Sequence, residues 1–167
     1  MKQHHLPHLP MGIITFLITL TVFPSCTSTQ KTSSSPAEIQ SAIQDDRWRF
    51  TATRAEPMSG SSRQLVTDYW VDLNKDKVII ALPYYGTAQG TGGGYPTGKG
   101  PLDFTSTKFS LTKQQRSNGA WQVILKPQDN TEMLSGTFTF FDNGNATLDI
   151  VMSGRSSISY SGNVGVR

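Results

Sequence analysis

The sequence predicts an all-β domain, an antiparallel meander closed as a β-barrel, with one short helix ahead of it. Three observations carry this. From Arg47 onward, apolar and polar residues alternate in short runs, the period of strands with one buried face. Turn residues such as Asn74-Lys75-Asp76, Ser117-Asn118-Gly119 and Asn143-Gly144 separate these runs too closely for intervening helices. Sequential tight hairpins favour a meander, and closing it removes the exposed strand edges through which an open sheet aggregates.

Residues 1–25 read as an export signal. Lys2 and a polar opening precede an apolar run from Gly12 to Phe23. That run is too short for a membrane span, which takes about 20 apolar residues. Cys26, the single cysteine, follows Ser25, and residues 26–35 form a flexible polar tether. The junction resembles the lipobox of bacterial lipoproteins, in which the thiol receives a diacylglycerol and the chain is cut just before it. Phe23 and Pro24 depart from the commonest form of that box. Several acyl chains, at about 0.8 kcal/mol per buried methylene, would hold the protein on its membrane. The tether carries Lys31 and no carboxylate before Glu38, which points to the periplasmic face of the outer membrane.

A single β domain is expected over residues 36–167. Ser35-Pro36-Ala37-Glu38 combines a capping serine, a proline at the first helical position and a glutamate three residues on. Ile39, Ala42 and Ile43 then share one face of a short helix that ends near Asp45-Asp46. The first strand turns Trp48, Phe50 and Ala52 inward. Leu65, Tyr69, Val71 and Leu73 share a face of the next, and Val78, Ile80 and Leu82 follow the turn at Asn74. Phe104, Phe109 and Leu111 come next. Ser117-Asn118-Gly119 reads as a type I′ hairpin turn into Trp121, Val123 and Leu125. Leu134 to Phe141, Ala146 to Met152, Ile158 to Tyr160 and Val164 to Val166 complete the chain, so eight or nine strands are expected.

The unusual stretch is Val78 to Pro101. A strand ends at Leu82-Pro83-Tyr84-Tyr85-Gly86, and a glycine-rich loop carrying Tyr95 follows. A loop this long in a compact domain suggests function. Tyr84, Tyr85 and Tyr95 are the candidate ligand-binding residues, placed at a barrel mouth where aromatic faces can stack on sugar rings or apolar groups. The competing reading is purely structural, with Pro83 ending a strand it cannot continue.

Composition excludes several classes. Fifteen Lys and Arg against twelve Asp and Glu give a net charge of +3, with no basic run of the kind that tracks phosphates, so no nucleic-acid partner is expected. The three histidines, His4, His5 and His8, all lie in the signal segment. The exported domain is thereby left without a Ser-His-Asp or Cys-His system and without ordinary histidine-bound zinc, so neither metal nor cofactor is expected. Gly93 to Gly100 imitates a phosphate-binding loop, but Gly100 stands where a Ser or Thr must hold magnesium. Asp68, Asp72 and Asp103 are the remaining carboxylates of interest, and alternation places Asp68 and Asp72 on a solvated outer face.

Several pieces together resemble a known family. They are the lipobox, Phe50-x-Ala52 followed by Pro57, Tyr69-x-Val71, Leu82-Pro83-Tyr84-Tyr85-Gly86, the loop ending at Phe104, Gly144-x-Ala146 and Ile158-Ser159-Tyr160-Ser161-Gly162. They resemble the bacterial lipoprotein family catalogued as domain of unknown function 4251. The resemblance implies a lipid-anchored, mainly β domain of lipocalin-like barrel form, and no known activity. The expected function is therefore a non-catalytic binding or scaffold module on the membrane, with an apolar or glycan ligand. The alternative is a carboxylate-dependent enzyme acting on envelope glycans, which requires two close carboxyl groups near the glycine-rich loop.

Overall fold

The computed structural model describes residues 35–87 and 100–167. One helix, α1 (Pro36–Gln44), precedes nine strands: β1 (Arg47–Pro57), β2 (Arg63–Asn74), β3 (Lys77–Ala81), β4 (Asp103–Ser106), β5 (Phe109–Gln115), β6 (Trp121–Pro127), β7 (Met133–Phe140), β8 (Asn145–Met152) and β9 (Ile158–Val166). They form a single sheet in the order β4-β3-β2-β1-β9-β8-β7-β6-β5. The meander therefore closes through β1 and β9, and its seam lies in mid-chain between β4 and β5.

Every neighbouring pair is antiparallel. Alternating direction along nine strands leaves β4 and β5 pointing the same way, and only Thr107 and Lys108 separate them. They are two halves of one bent strand, the first paired with β3 and the second with β6. The nine strands thus fill eight positions around a nearly closed barrel, and an even number lets an antiparallel ring close. Asp129 fastens the bend: its carboxylate accepts from the Ser106 hydroxyl and from the N–H groups of Thr107 at 2.9 Å and Lys108 at 3.1 Å. Those donors, Ser106 foremost and then Thr107, hold its pKa below the usual carboxylate value.

The alternation read from the sequence is the alternation of the core. Trp48, Phe50, Phe138, Phe140, Leu148 and Tyr160 are all essentially buried. The Trp48 ring meets Phe138 and Phe140 edge-on, at 4.8 and 4.9 Å between centroids. The interior of an eight-position barrel is narrow enough for side chains to fill, and here aromatic rings occupy its middle.

The helix starts as expected. Ser35 Oγ accepts from the Glu38 N–H at 3.3 Å, and Glu38 Oε2 accepts from the Ser35 N–H at 2.7 Å. Its buried face, Ile39, Ala42 and Ile43, packs on β1 and β9 at one end of the barrel. Lys113 of β5 holds the other end of the helix, donating to the carbonyls of Ile43 at 3.2 Å and Gln44 at 2.8 Å and to Asp46 at 3.0 Å. A cation at that position satisfies carbonyls that have no partner within the helix.

Two local expectations need correction. Neither Asn-Gly turn is the two-residue type I′ form, because only the glycines, Gly119 and Gly144, have positive φ, at 86° and 82°. In each a three-residue loop closes instead: Gly119 N–H donates to the Arg116 carbonyl at 3.0 Å, and Gly144 N–H to the Phe141 carbonyl at 2.9 Å. Asn118 and Asn143 serve through their side chains, accepting from the N–H groups of Ala120 at 3.2 Å and Asn145 at 3.0 Å.

The second correction concerns Asp72. It does point outward, yet only 1% of it is exposed, because Arg49 and Arg167 cover it with guanidinium contacts of 2.8 and 3.0 Å to Oδ2. The Arg49 guanidinium also lies over the Trp70 ring, 4.8 Å from its centroid. Asp72 is thus a clasp across β2, β1 and β9, while Asp68 and Asp103 are exposed.

Candidate functional site

The end of the barrel opposite α1 is where the chain stops being regular. β3 ends at Ala81, and the Leu82 N–H donates to the carbonyl of Leu102 at 2.9 Å, so the two ends of the intervening segment are tied at their base. Pro83 supplies no N–H to a ladder, but its carbonyl accepts from the buried Tyr160 hydroxyl at 2.7 Å. Tyr84 then donates to the Ser156 carbonyl at 2.7 Å. Thr87 is gripped by the same residue, since Ser156 Oγ accepts from the Thr87 N–H and the Ser156 N–H donates to the Thr87 carbonyl, both at 3.0 Å.

Each of the two tyrosines is half-buried, with part of its ring against the core. An arginine stands over each of them. The Arg63 guanidinium lies 4.7 Å from the Tyr85 centroid, and that of Arg155 lies 5.8 Å from the Tyr84 centroid. Contacts of this kind contribute about 0.5–1 kcal/mol when exposed. Arg155 also meets Glu132 at 3.3 Å, whereas Arg63 has no carboxylate within ion-pair distance among the described residues. Gly86 is required here for space, because a Cβ would collide with the Tyr84 hydroxyl and Ser156 Oγ.

The structure therefore brings together two of the three expected tyrosines, Tyr84 and Tyr85. Tyr95 and Cys26 lie outside the described residues. Sequence reasoning missed Arg63, Arg155, Ser156 and Tyr160 as members of this cluster. Only Tyr160 had a legible signal, its inward place in the alternation of Ile158 and Tyr160. Among the described residues no group of three His, Cys, Asp or Glu side chains could hold a metal.

Burial, and then the neighbouring hydroxyls of Tyr85 and Tyr84, push the Tyr160 pKa well above the ordinary tyrosine value. A raised pKa fixes the sign of the pH dependence. The contribution to stability is full below the unfolded value, about 10, and is lost as pH rises above it, because there the unfolded chain ionises first. Tyr160→Phe should cost about 1 kcal/mol near neutral pH through the lost hydrogen bond. It should also flatten the fall in stability above about pH 10, as urea titrations on either side of that pH would show. An alkaline slope unchanged by the substitution would locate the titrating group elsewhere.

A cleft of 540 Å³ lies at the opposite end, between α1 and the β1 and β9 termini. Glu38 and Asp45 line one side and Arg47 and Arg167 the other, with Val166 exposed between them.

Fold and site together define a small antiparallel β-barrel with an apolar core and a tyrosine-bearing end tied down by Ser156 and Tyr160. The family described as Domain of unknown function (DUF4251) matches residues 30–164, and the chain belongs to it. A solved structure of a DUF4251 family protein from Bacteroides eggerthii DSM 20697 is similar, with a TM-score of 0.55 and 17% identity over 78% of this chain and 87% of that one. At that identity the likeness concerns the fold alone. No curated protein matches the chain.

Proposed function

We propose that this protein is a lipid-anchored, non-catalytic binding module on the periplasmic face of the outer membrane, taking an apolar or glycan ligand at its tyrosine-bearing end. The observation that carries the reading is convergence. Tyr84, Tyr85, Arg63, Arg155 and Ser156 come from separate parts of the chain to one irregular end. The helix α1 packs on β1 and β9 at the other end of the barrel, which leaves the tyrosine-bearing end uncapped by it.

Two outcomes are expected. The wild-type chain should sediment with membranes and incorporate labelled fatty acid, while Cys26→Ala should remain in the soluble fraction. Sedimentation of the variant, with no label on the wild type, would remove the anchor. For the site, Gly86→Ala displaces the Tyr84 ring without touching the aromatic core. Native mass spectrometry of detergent-extracted protein should then show a bound mass on the wild type that the folded variant lacks. A wild type free of any adduct, or a variant that keeps it, would refute the tyrosine end as the ligand site.

A further inference from the structure

The cleft at the helix end of the barrel runs the length of α1, because Ala37, Glu38, Ser41, Ala42 and Asp45 lie along one stripe of the helix and its C-cap and all line it. Arg47, Val166 and Arg167 form the facing wall. Trp48 pairs with Val166, so the register sets Arg47 next to Arg167 one position further on. Like charges so placed repel. Arg167 uses one contact on Asp72, at 3.0 Å, and a guanidinium has five N–H donors. Arg47 is exposed and has no hydrogen bond or ion pair among the described residues, although Asp45 lines the same cleft two residues away. The turn between those two is fixed. Asp46 has a φ of 57°, its carboxylate accepts from Lys113 Nζ at 3.0 Å, and its carbonyl accepts from the Lys75 N–H at 2.8 Å. Towards the start of the helix, Glu38 stands about 10 Å from Asp45 along the axis, at a rise of 1.5 Å per residue. Its Oε2 accepts from the Ser35 N–H, which leaves Oε1 to the cleft.

We propose that this cleft binds a short peptide with both ends free, its carboxylate between Arg47 and Arg167 and its ammonium on Glu38. A carboxylate is the planar partner that guanidinium donors fit in pairs, and it would relieve the repulsion of the two arginines. The distance to Glu38 sets the length, since three extended residues span about 10 Å. The volume of 540 Å³ agrees, lying within the range of about 300–1,000 Å³ in which small ligands are held. Asp45, beside the arginines, opposes a compact multiply charged anion. It accepts peptide N–H groups, as the Ser41 hydroxyl does. Charge complementarity therefore selects a zwitterion: a plain anion meets the carboxylates of the helix wall, and a plain cation the guanidinium groups opposite. A lipid surface fits less well, because Val166 is the only large apolar side chain exposed in the lining.

The test is isothermal titration calorimetry of the detergent-solubilised full-length protein with trialanine, trialanine amide and N-acetyl-trialanine. Trialanine should bind, and each blocked form should bind at least about tenfold more weakly, the loss of one charge-assisted hydrogen bond. Two variants assign the ends. Arg47→Gln removes an exposed side chain that the fold does not use, and it should bind trialanine and its amide alike. Glu38→Gln keeps the capping box, whose third position accepts either residue, and should bind trialanine and the acetylated form alike. Both should melt as the wild type does. Tyr84→Ala should bind trialanine unchanged, so the two ends of the barrel are tested separately. The proposal is overturned by a wild type that does not bind trialanine or binds the blocked forms equally well, or by folded variants that still discriminate against them. Competition by inorganic phosphate or by glycerophosphoethanolamine would also overturn it, since the arginines would then hold a phosphate group, free or from a lipid.

Discussion

Gly162→Ala should cost the barrel at least about 3 kcal/mol, the upper end of what overpacking usually does. Gly162 sits in β9 at the closure of the barrel, paired with Ala52 of β1 and Ala146 of β8. At the same point β1 carries one residue too many, Thr53, whose hydroxyl donates to the Ser161 carbonyl at 3.1 Å. The bulge brings β1 so close that a Cβ on Gly162 would overlap the Thr51 carbonyl oxygen and stand 3.0 Å from the Ala52 Cα. Both are backbone atoms, so no rotamer change can relieve the contact. A melting point lower by roughly 10 °C is expected from circular dichroism. Gly100 is the control, since a Cβ there meets nothing within 4 Å. If Gly162→Ala melts with Gly100→Ala, the strands are farther apart than described.

This bulge shows which parts of the fold the sequence discloses. The helix start, the inward residues of each strand and the turn positions are local, written in spacing and in residue types that only certain backbone angles accept. Register is not local. Nothing near Thr53 announces an extra residue, because the bulge exists only relative to Ser161, 108 residues away. Nor does β4 reveal that it continues into β5, since the bend at Thr107 is fastened by Asp129 from another loop. Asp72 looked solvated for the same reason: alternation gives the direction of a side chain and says nothing of the arginines that cross over it.

The candidate site follows the same division. Tyr84 and Tyr85 stand out because proline and glycine punctuate the segment around them. Ser156, which secures Tyr84, is 72 residues downstream, and Tyr160 reaches Pro83 across 77. Only folding could reveal those partners.

The largest loss expected from one side chain is that of Trp48→Ala. Trp48 is fully buried among Phe138 and Phe140, and Phe138 in turn meets Phe50 at 5.8 Å between centroids, so the indole is the middle of the aromatic fill. Removing it forfeits the transfer free energy of the ring and leaves a cavity bounded by a closed sheet that cannot collapse inward, at about 3–5 kcal/mol. Against a total stability of about 5–15 kcal/mol, that leaves a marginal barrel. Trp48→Phe should behave differently. The indole Nε1 has no hydrogen-bond partner among the described residues, and a buried donor left unsatisfied costs about 1–3 kcal/mol. Phenylalanine leaves a smaller void and abolishes that penalty, so its net effect should lie within about 1.5 kcal/mol of wild type. Urea denaturation of the three proteins, read by far-ultraviolet circular dichroism so that losing a tryptophan does not alter the probe, decides the matter. A Trp48→Phe variant as unstable as Trp48→Ala would mean that the indole N–H is satisfied in solution, and a Trp48→Ala variant as stable as wild type would mean that the barrel is not filled by its rings.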